Sequence, residues 1–160
     1  MNASPRIAIL GAGFAALTAV RELRKLSPQA RITLIAPKAE FVYLPSLIWI
    51  PSGLRKGSDL ILPLDKFLQD HNVEFIAGRV TGLKDAGRRI LTDQGEVQND
   101  ALIIATGGRF IKKLPGIEHA LTLCEGVPAA EAIRDRIDAM SGGRIALGFG
   151  GNPNEPSAMR

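Results

Sequence analysis

A strand–turn–helix pattern at residues 6–16 constrains the fold of this chain more than any other stretch. Five residues suited to a buried strand run directly into Gly11-Ala12-Gly13-Phe14-Ala15-Ala16. In a G-x-G-x-x-A turn the first glycine permits a sharp backbone turn, and the second lets a pyrophosphate approach the main chain. The small sixth residue, Ala16, lets the helix pack closely on the strand. The helix N-terminus then offers free N–H groups and a partial positive charge to phosphates.

The residues after the turn complete a β–α–β unit. Apolar residues recur at helical spacing after the turn, at Leu17, Val20, Leu23 and Leu26. Pro28 predicts the end of this helix. Residues 31–35 then form a second strand rich in β-branched side chains. A unit of this length favours a nucleotide-binding turn over the alternative interpretation, a glycine-rich turn that binds nothing.

The end of the second strand is unusual for a dinucleotide fold, which normally supplies an acid to the ribose hydroxyls there. The strand runs into Ala36-Pro37-Lys38, and the first acid is Glu40. Two interpretations stay open. Glu40 or main-chain groups serve the ribose, or Lys38 meets a 2′-phosphate, which would make the ligand NADP.

Residues 41–51 are apolar and aromatic, and they hold the only Tyr and the only Trp of the chain. Buried packing is the default interpretation of such a stretch. The alternative is a wall for a planar ring system, or a patch that faces a membrane or a quinone. Beyond it, Pro63 predicts the start of a short helix, and residues 73–76 a third strand.

From residue 78 to residue 104 the pattern changes to strands only. Segments 79–83, 89–92 and 97–104, separated by glycine turns, predict a three-stranded antiparallel meander. Its last four residues, 101–104, are nearly all apolar and predict a strand buried on both faces that returns to the main sheet. The sequence therefore predicts an α/β fold with a parallel sheet and an inserted meander.

Composition excludes several other classes of protein. The 160 residues are enough for one domain. The chain has 20 Lys+Arg and 16 Asp+Glu without a long run of like charge, and this small excess of positive charge gives little support to a nucleic-acid partner. A single cysteine excludes an internal disulfide framework and a cysteine-rich metal site, and we predict no metal site. The sequence shows no signal-peptide pattern and no apolar stretch of membrane-spanning length, so a cytoplasmic protein is expected.

Taken together, these motifs resemble the N-terminal part of the two-dinucleotide-binding-domain flavoproteins, the pyridine nucleotide–disulfide oxidoreductase superfamily. Within it, the chain is most similar to sulfide:quinone oxidoreductase and flavocytochrome c sulfide dehydrogenase, with type II NADH dehydrogenase nearby. The resemblance rests on the glycine turn, the meander, Tyr43-Leu44-Pro45-Ser46-Leu47-Ile48-Trp49 and Ala105-Thr106-Gly107-Gly108-Arg109. It implies a Rossmann-like parallel sheet in a three-layer FAD/NAD(P)-binding domain.

The resemblance also implies a cofactor and an activity. FAD would lie at the first glycine turn, with the A-T-G turn near its pyrophosphate, Pro45 and Ser46 near its isoalloxazine ring, and the main chain of Val80 at its adenine. The implied cofactor contacts are Gly11, Gly13, Phe14, Ala15, Ala16, Lys38, Glu40, Pro45, Ser46, Val80, Ala105, Thr106, Gly107 and Arg109. The intact enzyme would pass electrons from a small-molecule donor through FAD to a quinone, a cytochrome or a disulfide, with NAD(P)H or quinone as co-substrate. The alternative function is a stand-alone dinucleotide-binding module without catalysis.

Cys124, ahead of a helix predicted from residue 128 to about residue 140, resembles a redox cysteine of sulfide:quinone oxidoreductases. The cysteine that those enzymes carry about 30 residues further on is missing from residues 144–156. A catalytic thiolate and a partly buried structural thiol are therefore both open interpretations.

The resemblance predicts the domain organisation as well. Residues 1–115 would form the FAD-binding domain, with the meander at about 78–104, and residues 116–160 a linker helix and the start of a second nucleotide-binding domain. That start includes a strand at 144–147. We expect the chain to be a truncated piece that is inactive alone. It should bury its open apolar surface in a homodimer. In the intact protein we expect a peripheral membrane contact.

Overall fold

The computed structural model describes residues 4–108 and 115–148 in two compact units. The first unit comprises 4–43 and 59–108, and the second comprises 44–58 and 115–148. The predicted domain boundary at residue 115 stays a prediction.

A four-stranded parallel sheet forms the centre of the first unit. It consists of β1 (Arg6–Leu10), β2 (Arg31–Ala36), β5 (Val73–Ala77) and β9 (Ala101–Ile104), in the order β5-β2-β1-β9. The registers pair Leu10 with Ile35 on one side and with Ile104 on the other. All four carboxyl ends therefore meet at one edge, where the glycine turn follows β1. The predicted α/β fold is confirmed.

The two faces of β1 bury alternate residues against different layers, since neighbouring side chains of a strand point to opposite faces. Ile7 and Ile9 pack with Ala16 and Val20 of α1 (Phe14–Leu26). Ala8 and Leu10 pack with Ile90 of the meander. Helix, sheet and meander thus form the three predicted layers.

The meander consists of β6 (Val80–Lys84), β7 (Arg89–Thr92) and β8 (Gly95–Gln98), paired antiparallel. The prediction of one continuous strand over 97–104 is wrong, because the chain breaks at Asn99. Asn99 is buried; its N–H donates to the Arg88 carbonyl oxygen and its Nδ2 donates to the Gly87 carbonyl oxygen. The break separates β8 from β9 and lets the chain leave the meander for the main sheet.

The prediction that β9 is buried on both faces holds only in part. Ala101 and Ile103 pack against the core on one face and Leu102 on the other, but these three residues are only half-buried and Ile104 is 62% exposed. Among the described residues β9 lies at the end of the strand order, with β1 as its neighbour.

A two-stranded antiparallel ribbon lies between β2 and β5 in sequence. It pairs β3 (Glu40–Val42) with β4 (Ile61–Pro63), and α2 (Asp65–Asp70) follows it. Leu64 and Leu68 pack against Phe41 in a small apolar cluster. The predicted short helix is confirmed, and the ribbon was not predicted.

The second unit contains a 3-10 helix, Leu44–Trp49, and α3 (Val127–Asp138). These two helices contact each other, and Leu47, Ile50 and Ala130 are buried. Buried packing accordingly holds for only part of the 41–51 stretch, since Leu44, Ile48 and Trp49 are exposed.

The strand predicted at 144–147 is absent. Residues 143–148 have no regular secondary structure, and Leu147 is 96% exposed. Across the described ranges, no helix has the length and apolar character to cross a membrane.

Candidate functional site

The glycine turn and the A-T-G turn meet at the carboxyl end of the central strands. The Gly11 N–H donates to the Ile35 carbonyl oxygen at 2.8 Å, and the Ala105 N–H donates to the Leu10 carbonyl oxygen at 2.9 Å. Gly11 has φ +108°, and a Cβ placed on it would lie 2.3 Å from the Ala105 carbonyl oxygen. Glycine is therefore required at residue 11 both for its backbone conformation and for close approach to a second chain segment.

The N-terminus of α1 is open. Gly13, the residue before the helix, is extended (φ −87°, ψ −173°), and no described atom lies within 4 Å of where its Cβ would be. No side chain within residues 4–108 and 115–148 caps α1, and its first turn contains no acidic residue. The N–H groups of this turn are therefore available to an anion, which the helix dipole favours. Phe14 and Ala15 are exposed here, while Ala16 is buried in contact with the sheet, as its small size predicts.

The A-T-G turn presents a similar open backbone. Ala105 is half-buried, and Thr106 and Gly107 are exposed. Gly107 has φ +77°, with no described atom within 4 Å of its Cβ position. Arg109, the last predicted contact of this turn, lies outside the described residues.

Lys38 and Glu40, the two alternative ribose-end contacts, form an ion pair with each other. Lys38 Nζ lies 3.6 Å from Glu40 Oε2, just beyond the carboxyl end of β2. Ala39 between them packs against the Phe41 cluster, to which Ala12 of the glycine turn also belongs. The segment that carries Lys38 and Glu40 and the glycine turn therefore contact the same apolar cluster, and the roles of both side chains at a ribose stay predictions.

Val80 begins the meander beside the same edge of the sheet. The Gly78 N–H donates to the carbonyl oxygen of Ala36, the last residue of β2, at 3.0 Å. Val80 pairs with Thr92 and is followed by a register shift. The end of β2 and the start of the meander are thus adjacent, and Val80 is an exposed residue there.

Three predicted residues belong to the second unit. Pro45 is exposed and Ser46 half-buried in the 3-10 helix Leu44–Trp49. Cys124 is exposed in the 3-10 turn Leu123–Glu125, where its N–H donates to Thr122 Oγ1. A partly buried thiol is therefore the wrong interpretation of Cys124. Its catalytic role stays a prediction.

An aromatic cluster lies beside α1, and of its three members only Phe14 is among the predicted cofactor contacts. Phe14 lies edge-on to Phe41, with ring centroids 4.8 Å apart, and to Tyr43, at 5.8 Å. Phe41 is buried, whereas Phe14 is 51% and Tyr43 42% exposed. The sequence signal is the alternation of aromatic residues at 41 and 43, which places both on one face of an extended segment.

The first unit also has a polar cavity of about 540 Å³ at the opposite, amino end of β1. Arg6, Arg88 and Arg89 line it together with Asp85 and Asp100. These charges pair with one another: Arg6 Nη2 lies 2.8 Å from Asp100 Oδ1, and Arg89 Nε lies 3.0 Å from Asp85 Oδ2. Two of the three arginines are paired with carboxylates and Arg88 donates to the Asp100 carbonyl oxygen, so this cavity is a poorer site for a pyrophosphate than the open turns.

The Arg6–Asp100 pair predicts a pH dependence of stability. Hydrogen bonds from the Arg6 guanidinium, and then from the Arg6 backbone N–H, lower the pKa of Asp100 from 3.8 to about 2. Stabilisation by this carboxylate is therefore present above pH 3.8 and is lost as the pH falls towards 2. We expect the stability difference between the parent and Asp100→Asn, measured by urea unfolding, to shrink between pH 5 and pH 2. A difference that stays constant would contradict the assignment.

No group of three His, Cys, Asp or Glu side chains within 4–108 and 115–148 could hold a metal ion. The open main chain at the two turns is the feature of the first unit that fits a ligand.

Comparison with known proteins agrees with this geometry. The family model described as pyridine nucleotide-disulphide oxidoreductase matches residues 5–147, which include both turns and the meander. The chain belongs to this family. The resemblance inferred from the motifs is confirmed.

Two other members of the family are similar to this protein over most of the chain. Sulfide-quinone reductase of Aquifex aeolicus is 28% identical over 127 residues, which are 78% of this chain and 30% of that protein. Type II NADH:quinone oxidoreductase of Staphylococcus epidermidis is 32% identical over 124 residues, 74% of this chain and 30% of that protein. The chain therefore spans about a third of the length of these family members.

Solved structures give the same result. The sulfide:quinone oxidoreductase of Aquifex aeolicus superposes with a TM-score of 0.76 at 26% identity, covering 84% of this chain and 32% of that one. The structure of NDH2 from Plasmodium falciparum in complex with NADH has a TM-score of 0.68 at 21% identity, covering 82% and 28%. The second likeness shows the fold alone.

Proposed function

We propose that this chain is the FAD-binding portion of a flavin-dependent oxidoreductase similar to sulfide:quinone oxidoreductase. The intact protein would pass electrons from a two-electron donor through FAD to a quinone, a cytochrome or a disulfide. The observation that carries the proposal is the contact between Gly11 and Ala105, which joins two open glycine turns at one edge of a parallel sheet. Family membership supports the same chemistry.

The residues at this edge fit a dinucleotide. Side chains at Gly13 and Gly107 would occupy space in which no atom of the described residues lies within 4 Å. This open space allows a pyrophosphate to contact the main-chain N–H groups of the turns. The partial positive charge at the N-terminus of α1 stabilises the negative charge of the phosphates. When bound, FAD supplies the two-electron redox chemistry, and the protein binds and orients it.

The charge pair beside the turn favours a ribose hydroxyl over a 2′-phosphate. Glu40 can accept hydrogen bonds from a ribose diol. A 2′-phosphate on Lys38 would lie close to the Glu40 carboxylate, because the two side chains are 3.6 Å apart. Like charges at such distances repel. This supports FAD rather than NADP at the first turn.

Calorimetric titration of the chain with FAD and NADPH tests the proposal. We expect FAD to bind at one site per chain and NADPH to bind at least about tenfold more weakly. Reduction of bound flavin by sulfide or NADH, tested in the intact protein, distinguishes the oxidoreductase from a stand-alone binding module. A chain that prefers NADPH, or binds neither nucleotide, would contradict the proposal.

We expect Cys124→Ser to separate binding from chemistry. Cys124 is exposed and is not among the implied FAD contacts, so its replacement should leave FAD affinity unchanged. If the thiol is catalytic, sulfide-driven flavin reduction in the intact protein is lost while FAD stays bound. Unchanged reduction kinetics in Cys124→Ser would remove the catalytic role.

The expected homodimer is a further proposal. β9 is an edge strand, and exposed edges with apolar side chains such as Ile104 favour pairing with another chain. We expect light scattering at micromolar concentration to give twice the chain mass of 17.1 kDa. A mass of one chain would contradict it. Cytoplasmic location and peripheral membrane contact likewise stay predictions.

A further inference from the structure

One carboxylate holds the start of the meander beside the carboxyl end of β2. Asp93 Oδ1 accepts a hydrogen bond from the Arg79 N–H at 2.8 Å, and the Asp93 N–H donates to the Arg79 carbonyl oxygen at 3.0 Å. Both backbone groups of Arg79 are thus bonded to a single residue. We refer to this pair of hydrogen bonds between Asp93 and Arg79 as the Asp93 clasp.

The residue before the clasp connects it to the main sheet. Gly78 is buried, and its N–H donates to the carbonyl oxygen of Ala36, the last residue of β2, at 3.0 Å. A Cβ placed on Gly78 would lie 3.0 Å from Asp93 Oδ1, so the carboxylate packs against a residue without a side chain. The clasp therefore fixes residues 78–80 at the edge of the sheet that carries the glycine turn.

The clasp also determines which way the next backbone groups face. Successive residues of an antiparallel strand alternate between bonding to the partner strand and facing away from it. Since Arg79 is bonded to Asp93, the N–H and the carbonyl oxygen of Val80 face away from β7. Among the described residues no strand pairs with β6 on that side. One donor and one acceptor are therefore open next to the end of β2.

A backbone donor beside a backbone acceptor distinguishes adenine from guanine. Adenine carries an amino donor next to a ring-nitrogen acceptor, whereas guanine has a carbonyl acceptor in place of that amino group. In a dinucleotide fold the acid at the end of the second strand binds the ribose of the nucleoside. Because Gly78 is bonded to Ala36 at that end, the open groups of Val80 are placed to receive the base of this nucleoside.

We infer that Asp93 is a positioning residue of the dinucleotide site, and that its clasp on Arg79 makes the site selective for adenine over guanine. This inference rests on the proposed function. Asp93 acts through the main chain, since it holds the N–H and the carbonyl oxygen of Val80 in one orientation before the base binds. Ordering these groups in advance lowers the entropic cost of binding the base and leaves the contacts to the phosphates unchanged.

Calorimetric titration with ADP and GDP, which differ only in the base, tests the inference. We expect the parent to prefer ADP, and Asp93→Ala to bind ADP and FAD about tenfold more weakly, the order of one or two lost hydrogen bonds, with GDP affinity unchanged. Asp93→Asn keeps an oxygen acceptor and should retain the preference for ADP. Glu96→Ala is the matched control, because it removes the same charge from β8, where Glu96 Oε2 lies 3.5 Å from Arg89 Nη1; it should change neither affinity.

Gly78→Ala reaches the same clasp without removing the carboxylate. Its Cβ would lie 3.0 Å from Asp93 Oδ1 and 3.3 Å from Gln94 Cγ, so the Asp93 side chain must move. We expect the preference for ADP over GDP to fall in this variant as well. Circular dichroism and urea unfolding of each variant show whether it is folded, and if Asp93→Ala is not, Gly78→Ala decides the inference.

The outcomes separate the two proposals. A parent that binds neither FAD nor ADP contradicts the proposed function, and the inference fails with it. A parent that binds FAD but does not distinguish ADP from GDP, or a folded Asp93→Ala with the parent's preference, overturns the inference alone. Equal losses of ADP and GDP affinity would give the clasp a purely structural role and overturn it. A loss for FAD without a loss for ADP would place the isoalloxazine at Val80 and would also overturn it.

Discussion

Gly13→Val is expected to weaken FAD binding by about 100-fold or more, roughly 2.7 kcal/mol, while the fold persists. The valine side chain would occupy the space in front of the α1 N-terminus, through which a pyrophosphate must approach the main chain. The backbone at Gly13 is extended, with φ −87° and ψ −173°, a conformation that valine adopts readily. No described atom lies within 4 Å of the new Cβ, so the folded chain accommodates it.

Two measurements check this prediction. Titration with FAD gives the loss of affinity, and urea unfolding gives the stability of the variant without ligand. The expected combination is a large loss of affinity with a change in stability below about 1 kcal/mol, the range of a substitution at a helix N-cap. Parent-like affinity would show that the pyrophosphate does not approach Gly13.

Gly11→Ala is expected to destabilise the fold itself by about 3 kcal/mol or more. Its Cβ would lie 2.3 Å from the Ala105 carbonyl oxygen, a backbone atom that cannot rotate away. The residue also has φ +108°, which strains any residue with a side chain. Overpacking and backbone strain each cost roughly 1–3 kcal/mol, against a typical net stability of about 5–15 kcal/mol.

Gly13→Ala is the matched control for Gly11→Ala, because it makes the same change two residues later in the same turn. Urea unfolding should show a large loss of stability for the first glycine and a change of less than about 1 kcal/mol for the second. Equal stabilities of the two variants would contradict the close contact between the glycine turn and the A-T-G turn.

The sequence predicts the β1–α1–β2 unit well because three independent signals agree there. The glycine spacing fixes the turn, the period of the apolar residues fixes the helix, and Pro28 lies just beyond its end at Leu26. Ala16 is buried as its size in the motif requires. Local patterns of this kind are sufficient when the partners are close in the chain.

The wrong predictions concern features that depend on distant partners. Residues 144–147, of which the last three are apolar, predict a strand, but a strand forms only where a neighbour pairs with its backbone groups, and none does so among the described residues. The β3–β4 ribbon joins segments about twenty residues apart, and no turn signal in the sequence marks that pairing. The break at Asn99 depends on hydrogen bonds from its backbone and side chain to the 87–88 turn.

For the site, the sequence named the two glycine turns but not their contact. The Ala105 N–H donates to the Leu10 carbonyl oxygen, and the Gly11 N–H donates to the Ile35 carbonyl oxygen. These bonds bring the two turns together, and the parallel register of β9 on β1 determines their contact. The contact of Tyr43 with Phe14 was not predicted because nothing local shows that an apolar segment returns to the first turn of a helix about thirty residues earlier.

Amide chemical shifts during a titration with FAD test the central claim most directly. At 17.1 kDa the chain is of a size suited to nitrogen-15 NMR. We expect the largest shifts at the amides of residues 11–16 and 105–107, with smaller ones at 38–40 and 80. Shifts concentrated instead at Arg6, Arg88 and Asn99, which line the cavity at the amino end of the sheet, or no shifts at saturating FAD, would contradict the assignment of the dinucleotide site.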